Sequence, residues 1–427
     1  MRKSQTCFDK PKHIHYLSSF LLIVQRQNAR NRVIEANGNK TAQAPVNVSK
    51  KDKPFYKQYP ITAPRFWHGL RFGDYLKLLA RNKFAIHPAR WFVAFTVSYF
   101  SIFNSVVGCL QSLLFKGKIQ RHELPAPPIF IVGHWRSGTT FLHDLISLDD
   151  RFTYPSTLQC FLPNQFLITG KLFLKLDKFL VPEKRPQDNV TTSFHKPQED
   201  EFAIFNMGHH SPYLRMAFPN GSLVDNDYLT LENLSEAQVS QWQETLVRFV
   251  KMVSYQQPDK PVVLKSPPHI GRLKYLADAF PGSRFIHISR DPYSLIPSTV
   301  RLWQSLDYIQ GFNRPKYDLP WLYEYIGDTF ETLYEAFERQ RLDIDESQLI
   351  DVRYEDLVAD APGVIRSIYE SLDLGDFDSQ MAEPLADYLE SQKDYKVNQH
   401  DLPDELTELI ESRCIPHLEK YGYQKRA

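Results

Sequence analysis

Short apolar runs alternate with helix-periodic stretches from about residue 125 to the end of the chain. Four of these runs have the length and apolar character of buried strands, at residues 129–132, 261–265, 284–289 and 349–352. Parallel strands need a crossover between them, and helices usually supply it. The pattern therefore predicts an α/β domain in which a short central parallel sheet lies between two layers of helices.

The longest uncharged stretch comes before this domain, at residues 91–115, between Arg90 and Lys116. It is long enough to cross a bilayer. Serine, threonine, asparagine and glutamine interrupt it, however, and such groups are costly in hydrocarbon. Its basic and aromatic flanks suit a helix that lies in the membrane interface. The sequence leaves three alternatives open: an interfacial helix, a membrane span, or a helix packed against the following domain.

The chain divides into three predicted regions. Residues 1–53 predict a disordered tail, residues 54–124 an aromatic and basic region around the uncharged stretch, and residues 125–427 the α/β domain. Within the last region, residues 150–235 are irregular and rich in proline and phenylalanine. An insertion of this length in an α/β domain usually shapes a substrate pocket.

Charge and cysteine content exclude several classes of function. The formal net charge is +1, so the composition gives no reason to expect nucleic-acid binding. The four cysteines are scattered and form no C-x-x-C pair, which argues against a disulfide framework or a zinc site. We therefore expect a cytoplasmic protein, either free, peripherally bound to membrane or membrane-anchored, and no bound metal.

A glycine-containing turn follows the first strand. Gly133 and Gly138 lie five residues apart, and Thr139 begins an apolar-periodic helix. A strand, a glycine turn and a helix N-terminus together present backbone N–H groups to a phosphate. The spacing nearly matches the P-loop of nucleotide triphosphatases, but Thr139 stands where the lysine should be, and the basic residue is Arg136. That lysine contacts the β- and γ-phosphates, so its absence argues against ATP or GTP hydrolysis.

Two further cations follow predicted strands. Lys265 ends the second strand and Arg290 follows the third. Ligands of an open parallel sheet bind beyond the carboxyl ends of its strands, where these side chains and Arg136 are expected to meet. Three cations at one edge suit a ligand with several separated negative groups.

In these motifs the chain resembles sulfotransferases that use 3′-phosphoadenosine 5′-phosphosulfate (PAPS). The segment Arg136-Ser137-Gly138-Thr139-Thr140 is similar to the family's [KR]-S-G-T-T loop, which holds the 5′-phosphosulfate. Arg290 and Ser298 reproduce the arginine and the serine eight residues later that bind the 3′-phosphate. Tyr354-Glu355-Asp356-Leu357 resembles the Y-E-x-L segment, whose tyrosine lies near the adenine.

The resemblance implies a P-loop-containing nucleotide-hydrolase-like fold and in-line transfer of a sulfuryl group from PAPS to a hydroxyl or amine. Arg136 and Lys265 are the expected stabilisers of the charge that develops during transfer. The residues it implies for the PAPS site are Arg136, Ser137, Gly138, Thr139, Thr140, Phe141, Arg290, Ser298 and Tyr354.

The general base is less clear from the sequence. Cytosolic small-molecule sulfotransferases carry K-T-H at the second strand exit, with histidine as base, whereas this chain has Lys265-Ser266-Pro267. The contenders are the cluster Glu199-Asp200-Glu201, His195 and His269. A clustered acidic turn can tune one carboxyl as a base, so we favour Glu199 or Glu201.

The acceptor remains open among small molecules, lipids and carbohydrates, with a membrane surface at residues 91–115 as a further partner. Two rival functions fit the motifs less well. A P-loop kinase of small molecules would need the loop lysine and a strand-borne aspartate for Mg²⁺. The other alternative is a catalytically inactive, membrane-associated anion-binding protein of the same fold. The intact loop and the Arg290–Ser298 pair argue against it, because such a protein would not need them.

Overall fold

In the computed structural model, which describes residues 59–175, 193–221, 225–392 and 402–426, four strands form a parallel sheet. The strands are β1 (Ile129–Val132), β2 (Val263–Lys265), β3 (Arg284–Ser289) and β4 (Leu349–Arg353). Their order is β2-β1-β3-β4, so β1 lies between β2 and β3. In register, Phe130 pairs with Leu264 on one side and with Phe285 on the other. The predicted parallel α/β sheet is confirmed. The predicted tail, residues 1–53, lies outside the described residues.

Helices connect and cover the strands. In the described part of the chain they are α1 (Phe72–Arg81), α2 (Trp91–Arg121), α3 (Thr139–Ile146), α4 (Thr157–Phe161), α5 (Phe166–Lys175), α6 (Glu201–Asn206), α7 (Glu236–Ser254), α8 (Leu273–Ala279), α9 (Pro292–Gln310), α10 (Leu319–Gln340), α11 (Tyr354–Ala359), α12 (Ala361–Ser371), α13 (Phe377–Gln380), α14 (Ala382–Ser391), α15 (Asp404–Arg413) and α16 (Ile415–Lys420). Short 3₁₀ turns lie between them, among them Phe66–Gly69, Pro212–Ala217 and Pro267–Arg272.

Both faces of the sheet are buried, because successive strand side chains point to opposite sides. Phe130 and Val132 belong to one hydrophobic cluster, which includes side chains of α7 and α10. Ile129 and Ile131 belong to a second cluster, with side chains of α3 and α12. This arrangement is the predicted three-layer fold, and it explains why β1 is apolar at every position.

The sheet topology places three loops at one edge. All four strands run parallel, and the loops that follow β1, β2 and β3 leave from their carboxyl ends, with β1 in the middle. The polar residues after these strands are therefore neighbours, although more than 150 residues separate Arg136 from Arg290 along the chain. This edge is where the candidate site lies.

The uncharged stretch at 91–115 forms most of α2, which extends to Arg121. By length and composition this helix could cross a membrane, although core helices of soluble proteins meet the same criterion. One of its faces packs on the rest of the protein: Asn104 donates hydrogen bonds to the carbonyl oxygens of His68 and Leu70, and Gln111 donates to that of Pro163. Most of its large apolar side chains are exposed on the other face.

Candidate active site

The loop between β1 and α3 requires both of its glycines. A Cβ on Gly133 would lie 2.7 Å from the carbonyl oxygen of Ile288, and one on Gly138 would lie 2.4 Å from Cδ2 of Tyr354. Gly138 is also the N-cap of α3, with φ at 106° in the left-handed region. The loop can therefore lie close against β3 and Tyr354 while α3 presents its N-terminus beyond the sheet edge.

Arg136 also has a left-handed backbone, with φ at 68°. For a non-glycine residue this conformation costs on the order of 1–2 kcal/mol. The surrounding contacts hold it: Arg136 donates from Nε to Oγ of Ser298 at 2.9 Å, and its carbonyl oxygen accepts from Nη1 of Arg290 at 2.8 Å. Strain retained in this way is common at functional sites.

Arg290 completes this cation cluster. Its guanidinium carbon lies 4.2 Å from the ring centroid of Tyr354, so the arginine stacks on the tyrosine. Burial lowers the pKa of Arg290; Tyr354 offsets part of that effect, and the nearby charge of Arg136 adds to it. Arg136 and Arg290 bring two positive charges close together, and Arg290 is shielded from solvent. This arrangement favours an anion between or beside the two guanidinium groups.

Two polar atoms of this cluster have unused hydrogen-bonding capacity. Among the described residues, Nε of Arg290 and Oγ of Ser137 are buried and make no hydrogen bond within the protein. Buried polar atoms are normally satisfied, so an unpaired donor and an unpaired hydroxyl at one loop fit a ligand with phosphate oxygens. The residues present therefore suit the phosphate groups of PAPS.

A second cluster begins at Lys265, which ends β2 and is almost fully buried. Its Nζ lies 2.9 Å from Oε1 of Glu199 and 3.4 Å from Oγ1 of Thr140 in the loop. The other carboxylate oxygen of Glu199 accepts a 2.5 Å hydrogen bond from the hydroxyl of Tyr213, which itself accepts from Nε1 of Trp135 at 2.9 Å. Lys265 thus connects a carboxylate to the loop between β1 and α3.

The charge state of Tyr213 follows from its surroundings. Burial, and then the neighbouring carboxylate of Glu199, raise the pKa of Tyr213 well above its usual value. The phenol therefore keeps its proton and donates it in a hydrogen bond to Glu199. The Glu199 side chain remains 15% exposed, so it is both oriented by the protein and open on one side.

The other members of the acidic cluster lie in a separate, fully buried network. Glu201 binds Arg272, with Nη1 2.6 Å from Oε2, and accepts a hydrogen bond from Ser211. Asp200 accepts from Ser266 at 3.0 Å and lies 2.7 Å from Nε2 of His269. Burial alone would raise the pKa of Asp200, but the His269 interaction and the Ser266 hydrogen bond outweigh it, and the pKa lies below its usual value.

These positions separate the candidate bases. Glu201, Asp200 and His269 have no exposed side-chain surface, so an acceptor cannot reach them, and the geometry speaks against Glu201 as the proton acceptor. His195 is exposed, and its backbone N–H donates to Oγ of Ser193. In the described part of the chain, Glu199 is the candidate whose carboxylate contacts Lys265.

A profile of the sulfotransferase family matches residues 127–379, which is more than half of the chain. The chain belongs to the sulfotransferase family. It is therefore an enzyme that moves a sulfuryl group to an acceptor, as the loop and the Arg290–Ser298 pair predict. The match begins just before β1 and ends in α13, so it includes every strand of the sheet.

Individual sulfotransferases are similar over most of the chain. Two proteins named omega-hydroxy-beta-dihydromenaquinone-9 sulfotransferase Stf3, from Mycobacterium bovis and Mycobacterium tuberculosis, are each 39% identical over 363 residues, covering 85% of this chain and 92% of theirs. Among solved structures, sulfotransferase STF9 from Mycobacterium avium has a TM-score of 0.63 at 19% identity, covering 90% of this chain and 99% of its own. Sulfotransferase STF1 from Mycobacterium tuberculosis has a TM-score of 0.55 at 16% identity, covering 86% and 94%. These two structures support the fold.

The structure brings together some, but not all, of the residues that the sequence predicts for the candidate site. Arg136, Arg290, Ser298 and Tyr354 come together as the spacing implies, whereas the Phe141 side chain packs against the hydrophobic core. The remaining loop residues lie at the start of α3; they are Ser137, Gly138, Thr139 and Thr140. Tyr213 was not predicted, because it lies in the irregular insertion and only the fold brings it to Glu199.

Proposed function

We propose that this sulfotransferase takes its sulfuryl group from PAPS and transfers it to the hydroxyl of a lipid-like acceptor, with Glu199 as the base. The observation that carries the proposal is the position of Lys265, whose ammonium contacts both Glu199 and Thr140. One cation is thereby shared between the loop that would hold the donor and the carboxylate that would take the acceptor's proton.

Donor binding is assigned to the first cluster. Arg290 and Ser298 would hold the 3′-phosphate, Tyr354 would lie near the adenine, and the loop from Arg136 to Thr140 would hold the phosphosulfate. The unpaired Nε of Arg290 and Oγ of Ser137 support this assignment, because both are ready to bond to an anion. When bound, PAPS supplies the sulfuryl group and a phosphate leaving group.

The roles of the protein's own residues follow from their charges. Arg136 and Lys265 stabilise the negative charge that grows on the leaving and sulfuryl oxygens, since both are fixed in place before the reaction. Glu199 accepts the proton of the attacking hydroxyl, and Tyr213 fixes the orientation of that carboxylate. Because the fixed ammonium of Lys265 contacts both sides, charge that develops on the leaving side strengthens its interaction there and weakens its hold on Glu199, which makes Glu199 a better base.

The lipid-like acceptor is supported by the relatives named for omega-hydroxy-beta-dihydromenaquinone-9, at 39% identity over 85% of this chain. That name describes a hydroxyl on a long apolar molecule. Such an acceptor resides in membranes, so we propose a cytoplasmic enzyme that works at a membrane surface and contacts it through residues 91–115.

The test is sulfuryl transfer by the purified protein from PAPS to an ω-hydroxylated prenyl quinone, with a hydroxysteroid and a sugar as comparison acceptors. We expect product, detected by mass spectrometry, with the prenyl quinone. Glu199→Gln should lower kcat by about 10²–10⁴-fold with little change in affinity for 3′-phosphoadenosine 5′-phosphate. The exposed Glu408 provides the matched control, Glu408→Gln, which should keep full activity.

Two results would contradict the proposal. Near-normal kcat in Glu199→Gln would remove Glu199 from the base role. Transfer to the sugar but not to the prenyl quinone would exclude a lipid-like acceptor while leaving the donor assignment intact.

A further inference from the structure

The polarity of helix α2 is the reverse of that expected for a surface helix. The middle of its buried face carries mostly small or polar residues about once per turn, namely Ala94, Val97, Ser101, Asn104, Gly108 and Gln111, while Val93 and Ile119 are buried near its ends. The polar ones among them are satisfied by the protein, as Asn104 is by two backbone carbonyl oxygens. A helix of a soluble protein normally buries its apolar side instead.

The outward face of α2 is apolar. Of the nineteen large hydrophobic side chains that are exposed in the described part of the chain, eleven lie on this helix. They are Trp91, Phe92, Phe95, Tyr99, Phe100, Ile102, Phe103, Val106, Leu110, Leu113 and Leu114. Leu76 of α1 and Leu172 of α5 are also exposed, on helices that pack against α2. We call the eleven residues the outer face.

The size of the outer face requires an explanation. An aromatic side chain carries 150–250 Å² of surface, so eleven large side chains that are about half exposed present on the order of 1,000 Å². The largest apolar patch on a typical soluble monomer is roughly 300–600 Å². Larger patches mark an interaction surface.

Charge decides between the possible occupants. From residue 75 to residue 122 the chain has no aspartate or glutamate. Arg81 is paired with Asp225 and Lys77 lies 3.7 Å from Asp74, but Lys83 and Arg90 stand near the start of α2, and Lys116, Lys118 and Arg121 near its end. Basic residues therefore stand at both ends of the outer face. Pairing two copies of this face would bring like charges together, whereas anionic lipid headgroups complement them. A lone membrane span is also disfavoured, because the opposite face of α2 is hydrogen-bonded to the protein over several turns.

A layer of aromatic rings connects α2 with the candidate active site. His68 belongs to the same 3₁₀ turn as Phe66, and its Nε2 lies 3.2 Å from Oγ1 of Thr96 on α2. The ring of Phe66 packs against that of Phe202, which packs against the ring of Tyr213. Tyr213 in turn holds Glu199. Helix α2 is thus connected to the Glu199 side of the site through this 3₁₀ turn and two ring contacts.

We propose that the outer face of α2 binds the surface of an anionic bilayer, with the helix parallel to the membrane plane and its basic ends among the headgroups. The apolar side chains enter the boundary between headgroups and acyl chains, as in interfacial amphipathic helices. The benefit of this docking to catalysis rests on the proposed lipid-like acceptor, but the docking itself does not.

The test is flotation of the full-length protein with vesicles, without donor or acceptor. We expect binding to vesicles of phosphatidylcholine and phosphatidylglycerol, and at least about tenfold weaker binding to phosphatidylcholine alone. The double variant Phe95→Glu/Leu113→Glu should lose about tenfold or more in affinity for the mixed vesicles. The double variant Leu342→Glu/Val358→Glu is the matched control, since Leu342 is as exposed as Leu113 but lies elsewhere. It should bind like the parent protein.

Three outcomes would overturn the proposal. An equal loss of vesicle affinity in the two double variants would mean that two added glutamates weaken binding wherever they lie on the surface. Resistance of the bound protein to alkaline carbonate would indicate a span instead of surface docking. A dimer in light scattering that Phe95→Glu/Leu113→Glu converts to a monomer would assign the outer face to a second copy.

The proposed function can fail separately from the docking. Sulfuryl transfer to a short, water-soluble hydroxylated acceptor should be the same in the parent and in Phe95→Glu/Leu113→Glu, because these residues lie outside the reacting groups. Absence of transfer by the parent protein to any hydroxyl acceptor would refute the proposed function, while vesicle binding would still measure the role of α2.

Discussion

Glu199 and Glu201 are two residues apart, yet we predict that their amide substitutions have different consequences. Glu201 and Arg272 are both fully buried and in contact at 2.6 Å. Glu201→Gln removes one charge of this pair and leaves the guanidinium buried without its counter-ion. Breaking a buried ion pair in this way costs about 3–5 kcal/mol, so we expect the free energy of unfolding to fall by that amount.

The predicted loss in the free energy of unfolding can be checked by removing the charge of Arg272 as well. In Glu201→Gln/Arg272→Met no uncompensated charge remains, and uncharged replacements of a buried pair are often nearly neutral. The hydrogen bond from Nε of Arg272 to the carbonyl oxygen of Tyr228 is still lost, which leaves a deficit of about 1–3 kcal/mol. We therefore expect the double variant to be more stable than Glu201→Gln alone.

The assays are urea unfolding of both variants and of the parent, and kcat for sulfuryl transfer of the folded protein. Glu201→Gln should keep kcat within about tenfold of the parent, because Glu201 contacts no acceptor-accessible surface. A loss of more than about 100-fold in kcat, with the free energy of unfolding unchanged, would show that Glu201 is the base and that Glu199 is not.

Two further predictions concern the donor site and acid stability. Arg290→Ala should weaken binding of 3′-phosphoadenosine 5′-phosphate by about 10–150-fold in calorimetry, as expected for the loss of a charged hydrogen bond. The control variant Arg301→Ala, at an exposed position, should bind like the parent. Tighter binding of ATP with Mg²⁺ by the parent would exclude a PAPS site. Burial lowers the pKa of His134 to about 4 from an ordinary 6.5. The neutral folded form is thus favoured above pH 6.5, and this stability is lost as the pH falls toward 4, by about 2 kcal/mol at pH 5. An unfolding free energy that stays constant between pH 7 and pH 5 would contradict the shift.

The parts of the site that depend on local sequence could be predicted. The loop needs Gly133 and Gly138 at fixed spacing because of steric contacts within one strand–turn–helix unit, and this spacing is visible in the sequence. The separation of Arg290 and Ser298 is also local, because Arg290 directly follows β3 and Ser298 lies within the first two turns of α9. Sheet topology then brings these two local units together, so the cation cluster could be expected once parallel strands were predicted.

The acidic cluster could not be resolved from the sequence for a physical reason. Near the start of α6, consecutive side chains point in different directions, and so Glu199 faces Lys265 while Asp200 and Glu201 face His269 and Arg272. Which carboxylate is exposed depends on basic partners that lie 66 to 71 residues away in the chain. Neither the composition of the cluster nor its helical position contains that information.

The orientation of α2 was encoded in the sequence, but not in its average hydropathy. Polar residues interrupt the stretch 91–115, which weakens it as a membrane span. Three of them, Ser101, Asn104 and Gln111, nevertheless recur with Ala94, Val97 and Gly108 at alternating intervals of three and four residues. That period places them on one side of a helix. Because each buried polar group finds a partner in the protein, the apolar residues must face outward. A fold that satisfies Asn104 and Gln111 internally thus leaves about 1,000 Å² of apolar surface exposed, and this surface, with the basic residues around it, is the reason for proposing an anionic membrane as its partner.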